Sequence, residues 1–198
     1  MVNKQQAKKE MILDAAALLF SQKGFEATSI DEIGEAAGLK GPALYYYFKG
    51  KDDIIDALVQ RMEEYYERQF DAVDADKLPS SYEEFKEMSM NRIIFTIHEP
   101  KFQMGRLIIA KGQFRDKRLA KLATRHHLTG LVDFYKIVLE KLVDDEIIKD
   151  YPLDLLAFEF VAPITMLIHL IDREPDKEEE ALEGIRKHID HFGEMYCL

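Results

Sequence analysis

TSIDEIGEAAGLKGPALYYYFKGK, residues 28–51, decides how this 198-residue chain is read. Ser29 followed three residues later by Glu32 is a capping-box pattern, so a helix is expected to begin at Ile30. Ile30, Ile33 and Ala37 share one face of that helix, and Gly38 allows the sharp turn that stops it. Pro42 fits the first turn of a second helix reaching Phe48, on which Leu44 and Phe48, four apart, share a face. Gly34 leaves space where the two helices cross, and Leu39 plugs the corner. Two short helices whose apolar faces meet across a glycine turn follow the logic of a helix-turn-helix. The second helix presents Lys40, Pro42, Ala43, Tyr45, Tyr46 and Tyr47 outward. Three adjacent tyrosines span most of a helical turn, so at least one ring must face solvent or a ligand. Tyrosine hydroxyls can bond phosphate oxygens, and ring edges can meet thymine methyls.

Here the chain resembles the TetR family of bacterial transcriptional repressors. The match lies in Ala37-Gly38, in Leu44-Tyr45-Tyr46-Tyr47-Phe48-Lys49-Gly50-Lys51 and in the upstream run Gly24 to Ile30. It covers about residues 8–60. The resemblance implies that the helix Pro42–Phe48 enters the major groove. Lys40, Gly41, Pro42 and Ala43 would approach base edges. Tyr45, Tyr47 and Lys51 would hold phosphates, with Tyr46 at the boundary between base and backbone. Thr28 and Ser29 would present the N-terminus of the preceding helix to a phosphate. The chain departs from the family in its Lys40-Gly41-Pro42-Ala43 run, where Ser-Lys-Gly-Thr is frequent, and in Gly34, where alanine is usual. No arginine precedes Arg61, so the bidentate arginine–guanine contact is closed to this segment. An operator read through thymine methyls and DNA shape is the expectation.

Outward from this segment nearly everything reads as helix. Apolar residues 12, 15, 16, 19 and 20 form one stripe in a helix over 8–23, ended by Gly24 in a left-handed conformation. A long helix is expected from Asp52 to about Val73. Asp74–Ser81 is the clearest linker, and Ser81 with Glu84 offers another capping box. Further helices are expected over 82–97, 102–110, 117–143, 153–172 and 176–196. The fold expected is all-α, of about nine helices. A three-helix head over residues 1–51 would bind DNA, and a body over 52–198 would bind ligand and dimerise.

Composition agrees with a globular helical chain: 47% hydrophobic and 32% charged, with only 10 Gly and 6 Pro. The net charge of −10 argues against a nucleic-acid binder until its distribution is read. Residues 1–51 hold seven lysines and six acids, net +1, which leaves −11 for the rest. An acidic body is repelled by a polyanion and should point away from it. The one cysteine, Cys197, excludes a disulfide framework. The charge-free stretch Phe160–Ile171 is twelve residues, short of the roughly 18–20 that span a bilayer. Glu10 and Asp14 interrupt the apolar run near the N-terminus, so no secretory signal is expected, and the cytoplasm is the expected address without membrane contact.

The last two helices have broad apolar faces: Leu156, Phe160, Ile164, Leu167 and Ile171 on one, Leu182, Ile185, Ile189 and Phe192 on the other. They suit either a monomer core or, as the resemblance implies, a four-helix dimer interface. The dimer is favoured because one short reading helix needs a second copy for affinity. Phe85, Met88, Phe95, Phe102, Met104, Leu107, Ile108, Phe134 and Met166 are soft and bulky. Singly each suits an ordinary core. Together, with Arg92 and His126 as polar groups, they could line an adaptable apolar pocket, and the resemblance places an inducer there. Pro163 should kink its helix. No catalytic, metal or cofactor motif appears: His126 and His127 are adjacent and diverge, and His188 with His191 lacks a third ligand. The function expected is a homodimeric repressor released from a palindromic operator by a mainly apolar small molecule. The rival is a helical small-molecule binding protein or enzyme whose head no longer binds DNA.

Overall fold

The computed structural model describes residues 4–39, 41–70 and 78–198; the side chains of Gly41, Pro42 and Phe70 are not described. Lys40, residues 71–73 of the expected long helix and residues 74–77 of the expected linker lie outside the described residues. The described chain is all helical: α1 (Lys4–Lys23), α2 (Ile30–Ala36), a 3-10 helix (Gly41–Tyr46), α3 (Lys51–Phe70), α4 (Tyr82–His98), α5 (Pro100–Gly112), α6 (Lys117–Thr124), a π-helical turn (Arg125–Thr129), α7 (Gly130–Asp144), α8 (Leu153–Arg173) and α9 (Glu178–Tyr196).

Two expectations change. The helix expected over 117–143 is broken at Arg125–Thr129, where the backbone widens to a π turn. Gly130 permits it, because a β-carbon there would stand 2.8 Å from the Arg125 carbonyl oxygen. Pro100 was read as a break but opens α5, where its missing N–H costs nothing.

The chain falls into two compact units. The first comprises residues 1–66 and 100–123. Its core is built by Ile12, Ala16 and Phe20 of α1, Ile33 of α2, Leu44 and Phe48 of the reading segment, Ile54, Ile55 and Leu58 of α3, and Ile109 and Leu119 farther along. The first turns of α3 are apolar on their inner face and therefore bury with the head. Arg118 fastens α6 to α3, bonding Asp52 and Asp56 at 3.0 Å each and Asp116 at 2.5 Å.

The second unit comprises residues 67–99 and 124–198. Phe160 is the hub of its core, with ring centroids 4.7 Å from Tyr135, 4.9 Å from Phe85 and 5.1 Å from Phe192. Helix α8 is long and apolar enough to cross a membrane by length and composition. However, Leu156, Phe160, Ile164, Ile168 and Ile171 are buried in this core. Tyr82 donates its hydroxyl proton to the Ile189 carbonyl at 2.5 Å and fills the space above Gly193, where a β-carbon would stand 2.4 Å from the ring.

Candidate nucleic-acid interface

The reading segment is built from α2, a tight turn and a helix shorter than expected. Ser29 caps α2: its hydroxyl accepts the Glu32 amide at 3.2 Å, and its own amide donates to the Glu32 carboxylate at 2.8 Å. Gly38 adopts φ +64, the left-handed conformation that closes the turn, and its amide bonds the Glu35 carbonyl. The expected α-helix Pro42–Phe48 is a 3-10 helix over Gly41–Tyr46. A proline near the start and only six residues leave too few i→i−4 bonds to hold α geometry.

Leu44 and Phe48 are buried anchors. Ala43, Tyr45 and Tyr46 are exposed, Tyr45 by 55% and Tyr46 by 73%. The rings of Tyr46 and Tyr47 meet edge to face at 5.0 Å, which leaves Tyr47 half-buried. The segment pinned by Leu44 and Phe48 therefore presents two outward rings and an exposed methyl.

The phosphate-holding expectations fare differently. Thr28 is buried, and its hydroxyl donates to the Gly24 carbonyl at 2.8 Å. The Ser29 hydroxyl donates to Glu32 at 2.9 Å. The N-terminus of α2 thus already carries an internal carboxylate. Lys23 and then Ser29 hold the Glu32 carboxyl down at about 2, so it is ionised there. The Lys51 ammonium is engaged by three backbone carbonyls, of Phe25 at 2.8 Å, Thr28 at 3.0 Å and Glu26 at 3.4 Å. The Thr28 side chain is thus buried, and the partly buried Lys51 is engaged within the chain. Two lysines outside the expected set flank this surface. Lys49 is exposed, and Lys9 lies 5.9 Å from the Phe48 ring centroid. Their only signal in the sequence was position, in the arm and just after the tyrosines.

The expected ligand residues divide between the units. Phe102 and Ile108 are buried in the first, where Phe102 stacks edge to face on Tyr66 at 4.5 Å; Met104 and Leu107 beside them are half-buried. Phe85 and Phe134 are buried in the second, with Met88 half-buried and Phe95 exposed. There the Arg92 guanidinium lies 3.9 Å over the Phe134 ring. Burial pushes the His126 imidazole down to about 3, helped by Arg125 and His127. Met166 is 74% exposed.

The expected dimer residues lie on α8 and α9. Leu156, Phe160, Ile164, Ile171, Ile185, Ile189 and Phe192 are buried within the chain itself, and Leu167 and Leu182 are half-buried. Helix α8 is apolar nearly all round, so its sequence could not say which face turns inward. The apolar side chains it exposes are Leu155, Phe158 and Met166. Leu155 and Phe158 border a shallow groove with Leu128 and Val132.

A family model described as "Bacterial regulatory proteins, tetR family" matches residues 12–58. The "Probable HTH-type transcriptional regulator YttP" of Bacillus subtilis is 24% identical over 189 residues, 95% of this chain and 87% of that protein. The "Biofilm operon icaADBC HTH-type negative transcriptional regulator IcaR" of Staphylococcus epidermidis is 34% identical over 58 residues, 29% of this chain and 31% of that protein. Among solved structures, SmeT, the repressor of the Stenotrophomonas maltophilia multidrug efflux pump SmeDEF, shares the fold with a TM-score of 0.71 at 19% identity, covering 99% of this chain and 93% of that one. SmeT has also been solved in complex with triclosan.

Proposed function

The chain belongs to the TetR family of bacterial transcriptional regulators, and on that premise we propose that it is a homodimeric repressor of a palindromic operator, released by a mainly apolar small molecule. The observation that carries this reading is the outward pair Tyr45 and Tyr46 on a segment whose Leu44 and Phe48 are locked in the core. Exposed rings on a rigid mount are costly to leave in water and suited to base edges and sugar–phosphate.

In this reading residues 1–51 carry the DNA contacts, with Lys40, Gly41, Pro42 and Ala43 at base edges and Tyr45, Tyr46 and Tyr47 beside them. Residues 52–198 carry the effector and dimer contacts. The protein acts in the cytoplasm. Leu155, Phe158 and Met166 supply the apolar contact with the second copy, which sets two reading segments one helical repeat apart. Effector binding lowers operator affinity by favouring another separation of those segments. SmeT and IcaR are named a repressor and a negative regulator, and SmeT is known with a small molecule; both facts support the sign and the ligand class.

Selection of genomic fragments on the purified protein tests the proposal. Enrichment of one inverted repeat, poor in indispensable guanines, is expected. Enrichment of no inverted repeat would refute the reading.

A further inference from the structure

Residues 111–121, KGQFRDKRLAK, hold five cations and one acid, although residues 52–198 as a whole carry a net charge of −11. They form the end of α5, a tight turn and the start of α6, all within the compact unit that holds the reading segment. The turn is firmly held. The amides of Arg115 and Asp116 both donate to the Gly112 carbonyl, at 3.0 and 2.9 Å. The Asp116 carboxylate accepts the amides of Arg118 at 2.8 Å and Leu119 at 3.4 Å where α6 begins. Arg118 ties the turn to Asp52 and Asp56 of α3, and its guanidinium carbon lies 5.6 Å from the Phe25 ring centroid. A β-carbon on Gly24 would stand 3.7 Å from Lys111 Cβ, so the end of α5 runs beside the turn that precedes α2.

The one acid is therefore engaged inside the turn. Lys111, Arg115, Lys117 and Lys121 are all exposed and make no ion pair among the described residues. Phe114 stands among them, 91% exposed. Unpaired cations around an outward ring, on a rigid turn, suit a polyanion with apolar surface between its charges, as deoxyribose lies between phosphates. A lipid surface fits less well, because α6 turns Leu119 and Leu122 into the core and keeps no apolar face for it. We propose that the turn between α5 and α6 is a second DNA contact. Its cations grip the phosphate backbone without regard to sequence, its ring packs on the sugars, and both add to the contacts of residues 1–51. The inference rests on the regulator reading for its ligand.

The test uses the full chain and a random-sequence duplex. One variant combines Arg115→Gln, Lys117→Gln and Lys121→Gln. A second combines Arg173→Gln, Arg186→Gln and Lys187→Gln, exposed cations of α8 and α9, and changes the net charge equally. Each phosphate contact contributes about 0.9 to the slope of log affinity against log salt. The first variant should lose about 1.8 or more of that slope, one contact from each copy of a dimer. Its thermal midpoint should stay within about 1 °C of wild type, because the replaced side chains are exposed and unpaired. The second variant should keep the wild-type slope. Phe114→Ala should bind roughly fivefold more weakly at an unchanged slope, since it removes a ring and no charge. A wild-type slope in the first variant, an equal loss in both, or wild-type affinity of Phe114→Ala overturns the proposal and leaves the regulator reading standing. If the first variant instead loses binding to phosphatidylglycerol vesicles while its DNA slope is unchanged, the patch is a membrane surface and the proposal is overturned. If wild type binds the duplex without salt dependence, the regulator reading fails and this contact fails with it.

Discussion

A β-carbon built on Gly34 would stand 3.6 Å from Leu44 Cδ1 and 3.9 Å from the Leu39 carbonyl oxygen, both ordinary contacts. The glycine is therefore not required for the crossing of α2 and the reading segment. Gly34→Ala should stabilise the protein by about 0.5–1 kcal/mol, because α2 gains a better helix former without a clash. A thermal melt checks this. A fall in midpoint would mean that the turn is tighter than 3.6 Å allows.

Arg118 bonds three carboxylates of unequal worth. The Asp52 and Asp56 side chains are 80% and 61% exposed and contribute little, whereas Asp116 is 11% exposed. The Arg118 guanidinium holds the Asp116 carboxyl below its ordinary range. Arg118→Met should cost about 1–3 kcal/mol, mostly through Asp116. The sign with pH follows. A carboxyl lowered in the folded state stabilises it above the unfolded value near 3.9, and the benefit is lost as pH falls through the lower folded value. Wild type and Arg118→Met should therefore converge in stability as denaturant titrations are taken from pH 6 toward pH 3.

His126 predicts a second acid response in a higher window. Its folded value of about 3 lies below the ordinary 6.5, because burial disfavours the charged ring. Above pH 6.5 both states hold it neutral and it has no effect. Below 6.5 the unfolded chain takes a proton that the folded chain refuses. Stability should then fall by up to about 1.4 kcal/mol per pH unit until pH nears 3. His126→Gln should flatten the melting curve between pH 6.5 and 4. An unchanged acid slope in that variant would mean that other groups carry it.

Phe160 and Phe158, two residues apart on α8, should separate folding from assembly. Phe160→Ala empties the hub of the aromatic core and should cost about 3–5 kcal/mol. Phe158 is 50% exposed, so Phe158→Glu should leave the thermal midpoint of a dilute monomer within about 1 °C while lowering the dimer fraction in sedimentation. A dimer that survives Phe158→Glu together with Met166→Glu would place the self-contact elsewhere.

The head was largely legible because its signals are local. The Ser29–Glu32 box, the left-handed Gly38 and the Leu44–Phe48 spacing each act within a few residues, and each appears as read. What was missed depends on distance. The carbonyls that engage Lys51 lie 23 to 26 residues away, which no spacing rule reveals. The inward face of α8 could not be read because both of its faces are apolar. The π turn at Arg125–Thr129 was hidden because its residues continue a helical pattern and only the contact of Gly130 with the Arg125 carbonyl marks it.

Fluorescence anisotropy of wild type and Tyr46→Ala on the duplex recovered from genomic selection tests the central claim most directly. Tyr46 is 73% exposed and touches the Tyr47 ring edge to face, so its truncation leaves the fold intact and removes that contact together with what the ring meets outside the chain. The account predicts wild-type affinity that falls steeply with salt, an unchanged melting curve for the variant, and a loss of roughly 10- to 100-fold in its affinity, the worth of one good base contact. Equal affinity of the two proteins, or wild-type binding indifferent to salt, would contradict it.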